Sequence, residues 1–372
     1  MHNQRATAAR IAEDLRQRIA QHEFDETKRI PSIRELSTCY SASVNTVSKA
    51  LRILCSEQLI VVREHVGYEI KSPNDPVQKS GIVAVAIGSG ESPVWFSMMR
   101  GVQDRLNGEN YGMISLTMSN DSGINAFIEN LKRVIALGIK GLIIVPPLES
   151  TFVDVMSEIV KRDVPLVFAD RYYLGFNVPY VVSDNMASAY RLARMLTVAG
   201  HTRIGFVHTN HISTVEERLL GFRQACYESD LRYEDACDIY IPMPIEDMRG
   251  SFDKFSRLFL EKLRESGVTA LFTANDQIAS VVMQALTSQG LRVPEDYSLV
   301  TFDSHMLMNS TGYRLTGVQQ DMYSIGYKCA EILLSRLDDN KTEIGRGYII
   351  PADIVVADSI REISSRNAKS RR

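Results

Sequence analysis

Apolar residues near the start of the chain recur at helical spacing. Ile11, Leu15 and Ile19 lie on one side of a helix that this spacing predicts over residues 7–21. The remaining positions of the segment are mostly polar or charged, as expected for a helix that covers a small core with one face.

A second and a third helix are predicted shortly after the first. Ser32 and Glu35 form a capping box, in which each side chain can accept a hydrogen bond from the other's backbone N–H, and Pro31 precedes it. After a polar turn, Ser43 is the expected N-cap of the third helix. The apolar stripe of that helix consists of Val44, Val47, Leu51 and Leu54.

The opposite face of the third helix is polar and carries no acidic residue. Asn45, Lys49 and Arg52 share it, because they are spaced four and three residues apart. For one isolated helix, such a face is more often a solvated surface than a binding surface. The elements that follow change this interpretation.

Two short β-rich runs, 59–63 and 68–71, follow the third helix around a turn that holds Gly67. Helix, helix, turn, helix and hairpin is the order of a winged helix-turn-helix. A helix of this fold can enter the major groove of DNA, where Asn pairs with adenine and Lys or Arg with guanine. The complete order of elements therefore predicts DNA binding.

The stretches "RIPSIRELS", "SVNTVSKALRIL" and "LIVVREHVGYEI" resemble the winged-helix domain of the GntR family of bacterial regulators. We assign residues 1–71 to this domain. Val44 stands where the family often carries Arg, and His65 replaces the first of two wing glycines. The resemblance, with Arg52 added because it shares the polar face, implies DNA contacts at Ser32, Arg34, Ser43, Asn45, Thr46, Lys49, Arg52 and Gly67.

Residues 72–80 contain two prolines and no apolar periodicity, which indicates a linker. From Gly81 onward, short apolar runs alternate with helical patterns, and this alternation predicts an α/β architecture of parallel sheets covered by helices on both faces. The strands are too many for one such sheet, so we expect two lobes over residues 81–358. A basic tail, 359–372, follows. The predicted strands are 82–87, 113–118, 141–146, 165–170, 203–208, 270–275 and 299–303.

Polar side chains follow several of these strands, and in open α/β sheets ligands bind beyond the carboxyl ends of strands. Any one such residue is more often a helix cap or turn former. Their repetition in both halves of the chain predicts a polar cleft between the lobes, with Trp95 and Phe96 available to cover the apolar face of a sugar ring. The polar candidates are Asp170, Arg171, Arg218, Asn275, Asp276, Asp303 and Gln320.

The stretches "VPLVFADRYY", "RLLGFRQAC", "LFTANDQIASVVMQALTSQGLRVPEDYSLVTFD" and "LTGVQQDMYSIGYKCAEILLSRL" resemble the effector domain of the lactose/galactose-repressor family, which is related to periplasmic sugar-binding proteins. The family's own helix-turn-helix and hinge helix are replaced here by the winged helix, as in the arabinose-repressor arrangement. The resemblance implies effector contacts at the same polar residues, with Asp276 close to them, and suggests a carbohydrate effector.

Composition excludes several other classes of protein. The 372 residues carry a formal net charge of −3, and the five cysteines have neither metal-ligand nor C-x-x-C spacing. No signal peptide or membrane-spanning stretch is evident, so we expect a cytoplasmic protein without a membrane partner. The glycine motif "IGSGESP" is incomplete, and no catalytic motif is found. We therefore expect no enzyme activity, no cofactor and no metal.

The sequence predicts a bacterial transcription regulator that acts as a homodimer. As a repressor, it would leave operator DNA when a small carbohydrate binds between the lobes. Two alternatives stay open. One is a corepressor-dependent or activating regulator that responds to another polar metabolite, such as a nucleobase. The other is a sugar-binding or sugar-processing protein whose first module only mediates contacts.

Overall fold

The chain folds into two compact units, residues 1–78 and 79–372. Their structure is a computed structural model. The predicted linker, the wing turn and most of the basic tail lie outside the residues that it describes. The described residues are 7–21, 23–24, 29–57, 59–63, 67–70, 81–89, 94–118, 123–149, 151–231, 237–243, 250–303, 314–337 and 347–363.

The first unit is a winged helix-turn-helix, as predicted. Leu15, Leu36, Leu51 and Leu54 are fully or almost fully buried in its core. The capping box at Ser32 is present and starts the second helix. The hairpin is antiparallel. Its elements are α1 (Ala8–Ala20), α2 (Ile33–Cys39), α3 (Val44–Ser56), β1 (Ile60–Arg63) and β2 (Gly67–Ile70).

The second unit contains two lobes, each built on a six-stranded sheet. The strand order in the first lobe is β13-β7-β6-β5-β3-β4, and all of its described pairings are parallel. Its strands are β3 (Gly81–Ile87), β4 (Tyr111–Thr117), β5 (Gly141–Val145), β6 (Leu166–Ala169), β7 (Tyr180–Ser183) and β13 (Gly347–Ile350). Its helices are α4 (Val94–Leu106), α5 (Gly123–Ala136), α6 (Phe152–Lys161) and α11 (Met322–Leu337).

The strand order in the second lobe is β14-β12-β11-β10-β8-β9. Its pairings are parallel except at one edge, where β14 runs antiparallel to β12. Its strands are β8 (Ile204–His208), β9 (Asp238–Tyr240), β10 (Ala270–Thr273), β11 (Ser298–Phe302), β12 (Thr316–Gln319) and β14 (Asp353–Val355). Its helices are α7 (Asn185–Val198), α8 (Ser213–Glu228), α9 (Phe252–Ser266) and α10 (Asp276–Ser288).

The two sheets repeat one plan, because each position in one strand order has a counterpart in the other. β6 therefore corresponds to β11, and β7 corresponds to β12. The described chain passes between the lobes three times, after β7, after β12 and after β13. Two of these crossings touch, since the backbone N–H of Asp184 donates to the carbonyl of Ile350 at 2.9 Å.

A glycine sets how closely α8 packs on α7. A Cβ at Gly221 would lie 2.0 Å from the carbonyl oxygen of Met186 and 3.0 Å from the backbone nitrogen of Tyr190. Only glycine permits this approach of two helix backbones. The close contact fixes the position of α8, one turn of which carries Arg218.

His201 is a buried histidine of the second lobe that is expected to make stability depend on pH. Its ring nitrogens hydrogen-bond Thr269 Oγ1 and Ser298 Oγ, each at 2.8 Å. Burial lowers the pKa of His201 to about 4. Below its ordinary pKa of 6.5 the unfolded chain takes up a proton that the folded chain does not bind.

We therefore expect the free energy of unfolding to fall between pH 6.5 and pH 4, with a His201 contribution of at most about 1.4 kcal/mol for each pH unit. Urea unfolding of the wild type and of His201→Gln over this range measures the contribution as a difference in slope. Equal slopes in the two proteins would contradict it, whatever their absolute stabilities.

Candidate functional site

One face of α3 is polar and exposed. Asn45, Lys49 and Arg52 are exposed, and no residue of α3 is acidic. Ser43 and Thr46 lie at the start of the helix, where the Ser43 hydroxyl accepts from the Thr46 N–H at 3.2 Å and contacts the Thr46 hydroxyl at 2.8 Å. These two residues thus fix where α3 begins.

The neighbouring elements add exposed groups to this unit. Ser32 and Arg34 are exposed at the start of α2, and Gly67 is exposed at the start of β2 with a φ of 103°. Residues with a side chain rarely adopt that backbone conformation, so glycine suits the position. Val44 is 54% exposed at the first position of α3. It therefore contributes less to the core than the predicted apolar stripe implied.

In the second unit, two aspartates occupy corresponding positions in the two lobes. Asp170 follows β6 and Asp303 follows β11, with φ values of 65° and 63°. Aspartate is among the few residues that tolerate this left-handed conformation. The matched turns place one carboxylate at the carboxyl end of each of two corresponding strands.

Arg218 is buried beside the carboxyl ends of β10 and β11, in the region that we call the cleft, with 4% of its surface exposed. Its Nε donates to Asn185 Oδ1 at 2.9 Å, and its Nη1 donates to the carbonyl of Ala274 at 2.7 Å. Its Nη1 also lies 3.7 Å from Asp303 Oδ2, and the guanidinium carbon lies 3.7 Å from the centre of the Phe302 ring.

The charges around Arg218 come from both lobes. Burial lowers its pKa, and the carboxylates of Asp303 and Asp170 oppose that shift. Because an arginine remains protonated in proteins, Arg218 is a fixed positive charge between carboxylates of the two lobes. Gln320, on the crossing after β12, donates its side-chain amide to Asp303.

Asp276 is the carboxyl group whose ionisation is most perturbed in the cleft. Burial, and secondarily the nearby Asp303 carboxylate, raise its pKa to about 7. Backbone N–H groups at the start of α10 and the charge of Arg218 act in the opposite direction. At neutral pH this carboxyl is therefore able to serve as a donor or as an acceptor.

A chain of hydrogen bonds joins the two lobes beside Arg218. The hydroxyl of Tyr172, in the first lobe, donates to Glu217 Oε1 on α8 at 3.0 Å. The other oxygen of Glu217 accepts from Asn185 Nδ2 at 3.0 Å, and Asn185 in turn accepts from Arg218. The Tyr172 ring stacks on Tyr180, with 4.0 Å between centroids.

Comparisons with known families agree with the division of the chain into two units. The model of the bacterial regulatory proteins of the gntR family matches residues 7–70, and the model of the periplasmic binding protein-like domain matches residues 193–360. The chain joins a GntR-family winged helix to a periplasmic-binding-protein-like domain. The predicted resemblances and fold class are thereby confirmed.

Two relatives are similar to this chain over most of its length. An arabinose metabolism transcriptional repressor of Geobacillus stearothermophilus is 26% identical over 344 residues, which cover 90% of this chain and 92% of the relative. A ribose operon repressor of Haemophilus influenzae is 24% identical over 285 residues, covering 76% of this chain and 82% of the relative. Both relatives are named as transcriptional repressors and not as enzymes.

Solved structures share the fold of the periplasmic-binding-protein-like domain. A LacI family transcriptional regulator from Enterococcus faecium with bound ribose matches with a TM-score of 0.62 and 22% identity, over 76% of this chain and 100% of that one. The complex of the transcriptional regulator CelR with cellobiose matches with a TM-score of 0.64 and 20% identity, over 89% and 100% of the two chains.

The remaining predicted residues of this domain differ in what they offer a ligand. Arg171 is buried and pairs with Asp170 at 3.2 Å. The Asn275 side chain caps α10 by accepting from the Ile278 N–H at 2.9 Å. Trp95 packs in the core of the first lobe, whereas Phe96 is 70% exposed in the first turn of α4. Phe96 thus offers more ring surface than Trp95.

Three residues of the cleft were not predicted as site residues. Glu217 and Tyr172 were missed because their significance arises from a contact between lobes, although Glu217 precedes Arg218 directly. Glu149 follows β5, and its Oε2 is buried without a hydrogen-bond partner among the described residues. Its position after an apolar strand was the signal that sequence analysis had available.

Two absences hold for the described part of the chain. None of its helices combines the length and apolarity that crossing a membrane requires. No three of its histidine, cysteine or acidic side chains are arranged to hold a metal ion.

Proposed function

We propose that the protein is a transcriptional repressor that binds operator DNA through its winged helix and leaves it when a small carbohydrate binds between the two lobes. The observation that carries the carbohydrate site is the convergence of charged and amide groups from both lobes around the buried Arg218. The names of the relatives, which include repressors of arabinose and ribose genes, support the same function.

For DNA, we propose that α3 lies in the major groove with Asn45, Lys49 and Arg52 facing base edges and phosphates. Exposed amide and cationic groups on one helix face supply the donors that adenine, guanine and phosphate accept. The starts of α2 and α3 and of β2 would fix the register on the backbone through Ser32, Arg34, Ser43, Thr46 and Gly67.

For the effector, we propose hydrogen bonds from sugar hydroxyl groups to the cleft residues. The hydrogen-bond acceptors and donors would come from Asp170, Arg171, Arg218, Asp276, Asp303 and Gln320, with Asn275 beside them. The Phe96 ring, together with Trp95, would pack against the apolar face of the sugar. A polar pocket of this kind favours a ligand that pairs its groups, because unpaired buried groups are costly.

Closure of the lobes would carry the signal. A ligand held by Asp170 and Asp303 together contacts both lobes, so it stabilises the state in which they are closest. The Tyr172–Glu217 hydrogen bond also joins the two lobes, so it would couple their closure to the rest of the domain. We further propose that the protein works as a cytoplasmic homodimer, since one recognition helix reads only a half-site.

Selection of DNA from a random library by the full-length protein, followed by fluorescence anisotropy on the selected sequence, tests this function. We expect L-arabinose, D-ribose, D-galactose or cellobiose to weaken DNA binding by at least about tenfold, a coupling within the usual range. Light scattering on the same samples measures the number of subunits. A protein that selects no sequence, at low as well as physiological salt, would contradict the proposal. A ligand that strengthens DNA binding would indicate a corepressor instead.

A further inference from the structure

The charges of the cleft are unequal. Its described carboxyl groups belong to Glu149, Asp170, Glu217, Asp276 and Asp303, whereas its described cations are only Arg171 and Arg218. Among the described residues, the carboxyl groups of this site therefore outnumber its cations by five to two.

Both guanidinium groups are already engaged by the protein. Arg218 donates to Asn185 and to the Ala274 carbonyl and lies beside Asp303. Arg171 pairs with Asp170. Recognition of a phosphate or carboxylate usually relies on an arginine that offers two parallel donors. An anionic ligand would have to displace these internal partners and leave their carboxylates unpaired.

Three helix N-termini of this domain, those of α7, α10 and α11, carry acidic side chains. Such N-termini are the usual phosphate sites of α/β folds. Asp184 caps α7 by accepting from the Ala187 N–H at 3.1 Å, and Asp321 accepts from the Ser324 N–H at 2.9 Å at the start of α11. Asp276 lies in the first turn of α10 and accepts from backbone N–H groups there.

Most of these carboxyl groups have partners of their own, so the cleft does not require a cationic ligand either. Asp170 and Asp303 are paired with arginines, and both oxygens of Glu217 accept hydrogen bonds. The elevated pKa of Asp276 removes part of its charge at neutral pH. What the cleft offers is a surplus of oxygen acceptors, which hydroxyl groups match.

We propose that the effector is an uncharged polyhydroxyl molecule and that the cleft rejects the phosphorylated and carboxylated forms of the same sugar. This inference rests on the proposed carbohydrate site and narrows its ligand class. Like charges placed together in a desolvated site cost several kcal/mol, so the discrimination is expected to reach about 100-fold or more in affinity.

Calorimetric titration of the full-length protein with matched sugars tests the proposal. One set is L-arabinose, D-ribose and D-ribose 5-phosphate, and the other is D-galactose, D-galacturonate and D-galactosamine. We expect a neutral sugar to bind and its anionic counterpart to bind about 100-fold more weakly or not at all. An anionic form that binds as tightly as its neutral counterpart overturns the proposal, and so does an amino sugar that binds more tightly.

A variant tests the electrostatic cause. At pH 8.5, where Asp276 is mostly ionised, Asp276→Asn removes one negative charge from the start of α10, so the ratio of neutral to anionic affinity is expected to narrow by about tenfold. The matched control is Asp253→Asn, an exposed aspartate in the first turn of α9, which should leave the ratio unchanged. A ratio that narrows equally in both variants argues against the proposal.

The two levels of proposal fail differently. If no sugar of any charge binds while the protein still selects DNA, both the carbohydrate site and its charge selectivity are wrong. If a charged sugar binds and alters DNA affinity, the regulator function stands and only the selectivity is wrong.

Discussion

Arg218→Ala is expected to abolish sugar binding while DNA binding persists, so that the repressor no longer responds to its effector. The substitution removes a buried cation whose charge offsets the carboxylates of Asp303 and Asp170. Truncating one partner of a buried, hydrogen-bonded charge pair in a binding site typically costs about 2–5 kcal/mol of binding free energy, so the loss of sugar affinity is expected to reach about 100-fold. Calorimetry with the sugar that binds the wild type measures it.

Two further variants separate loss of the site from loss of the fold. Arg218→Lys keeps the positive charge but not the planar set of donors of the guanidinium group. This variant should therefore fold more stably than Arg218→Ala and still bind sugar weakly. Arg223→Ala, on the same helix and half-exposed beside Asp238, is the control and should bind sugar normally. An Arg218→Ala protein that binds sugar and releases DNA like the wild type would contradict the assigned site.

Lys49→Ala is expected to weaken operator binding by at least about tenfold at physiological salt, with sugar binding unchanged. Lys49 is exposed on α3 and is surrounded by no acidic residue of that helix, so its charge is available to guanine or phosphate. Fluorescence anisotropy on the selected DNA measures the loss, and titration at several salt concentrations shows whether a phosphate contact is missing.

A charge-matched control distinguishes a local contact from a general change in charge. Arg133→Ala removes one exposed positive charge from α5 in the other unit, where the side chain is 75% exposed. It should leave DNA affinity unaltered. If both variants weakened DNA binding equally, the effect would reflect net charge and α3 would not be the recognition helix.

Much of the fold was predictable because the signals are local. The capping box at Ser32 and the N-cap at Ser43 are satisfied as predicted, and each fixes the start of a helix from residues within one turn. The buried strands β3, β5, β8, β10 and β11 were predicted to within a few residues, since a continuous apolar run needs no partner to be recognised.

Other strands were missed because their existence depends on distant partners. β13 and β14 are short, and their burial alternates between exposed and half-buried residues. Each joins a sheet whose other strands come from far earlier in the sequence. Pairing at a sheet edge is decided by the neighbouring strand, which a local pattern does not contain.

The same contrast applies to the candidate site. Asp170 and Asp303 were predictable because each follows a recognisable buried strand. Asn275 caps a helix, which is the commoner role of an asparagine after a strand. The sequence did not show whether its side chain would cap the helix or face a ligand. Glu217 required knowledge of how Tyr172 of the opposite lobe meets α8, which is a property of lobe arrangement.

The three passages of the chain between the lobes limit how this domain can move. A body joined by one strand can twist and separate freely, whereas strands that cross side by side permit mainly bending about a shared axis. The crossings after β7 and β13 are tied by the Asp184–Ile350 hydrogen bond, so we expect them to move together. The three crossings together thus limit how far the two lobes can open. If any single crossing were lengthened, the other two would still impose this limit.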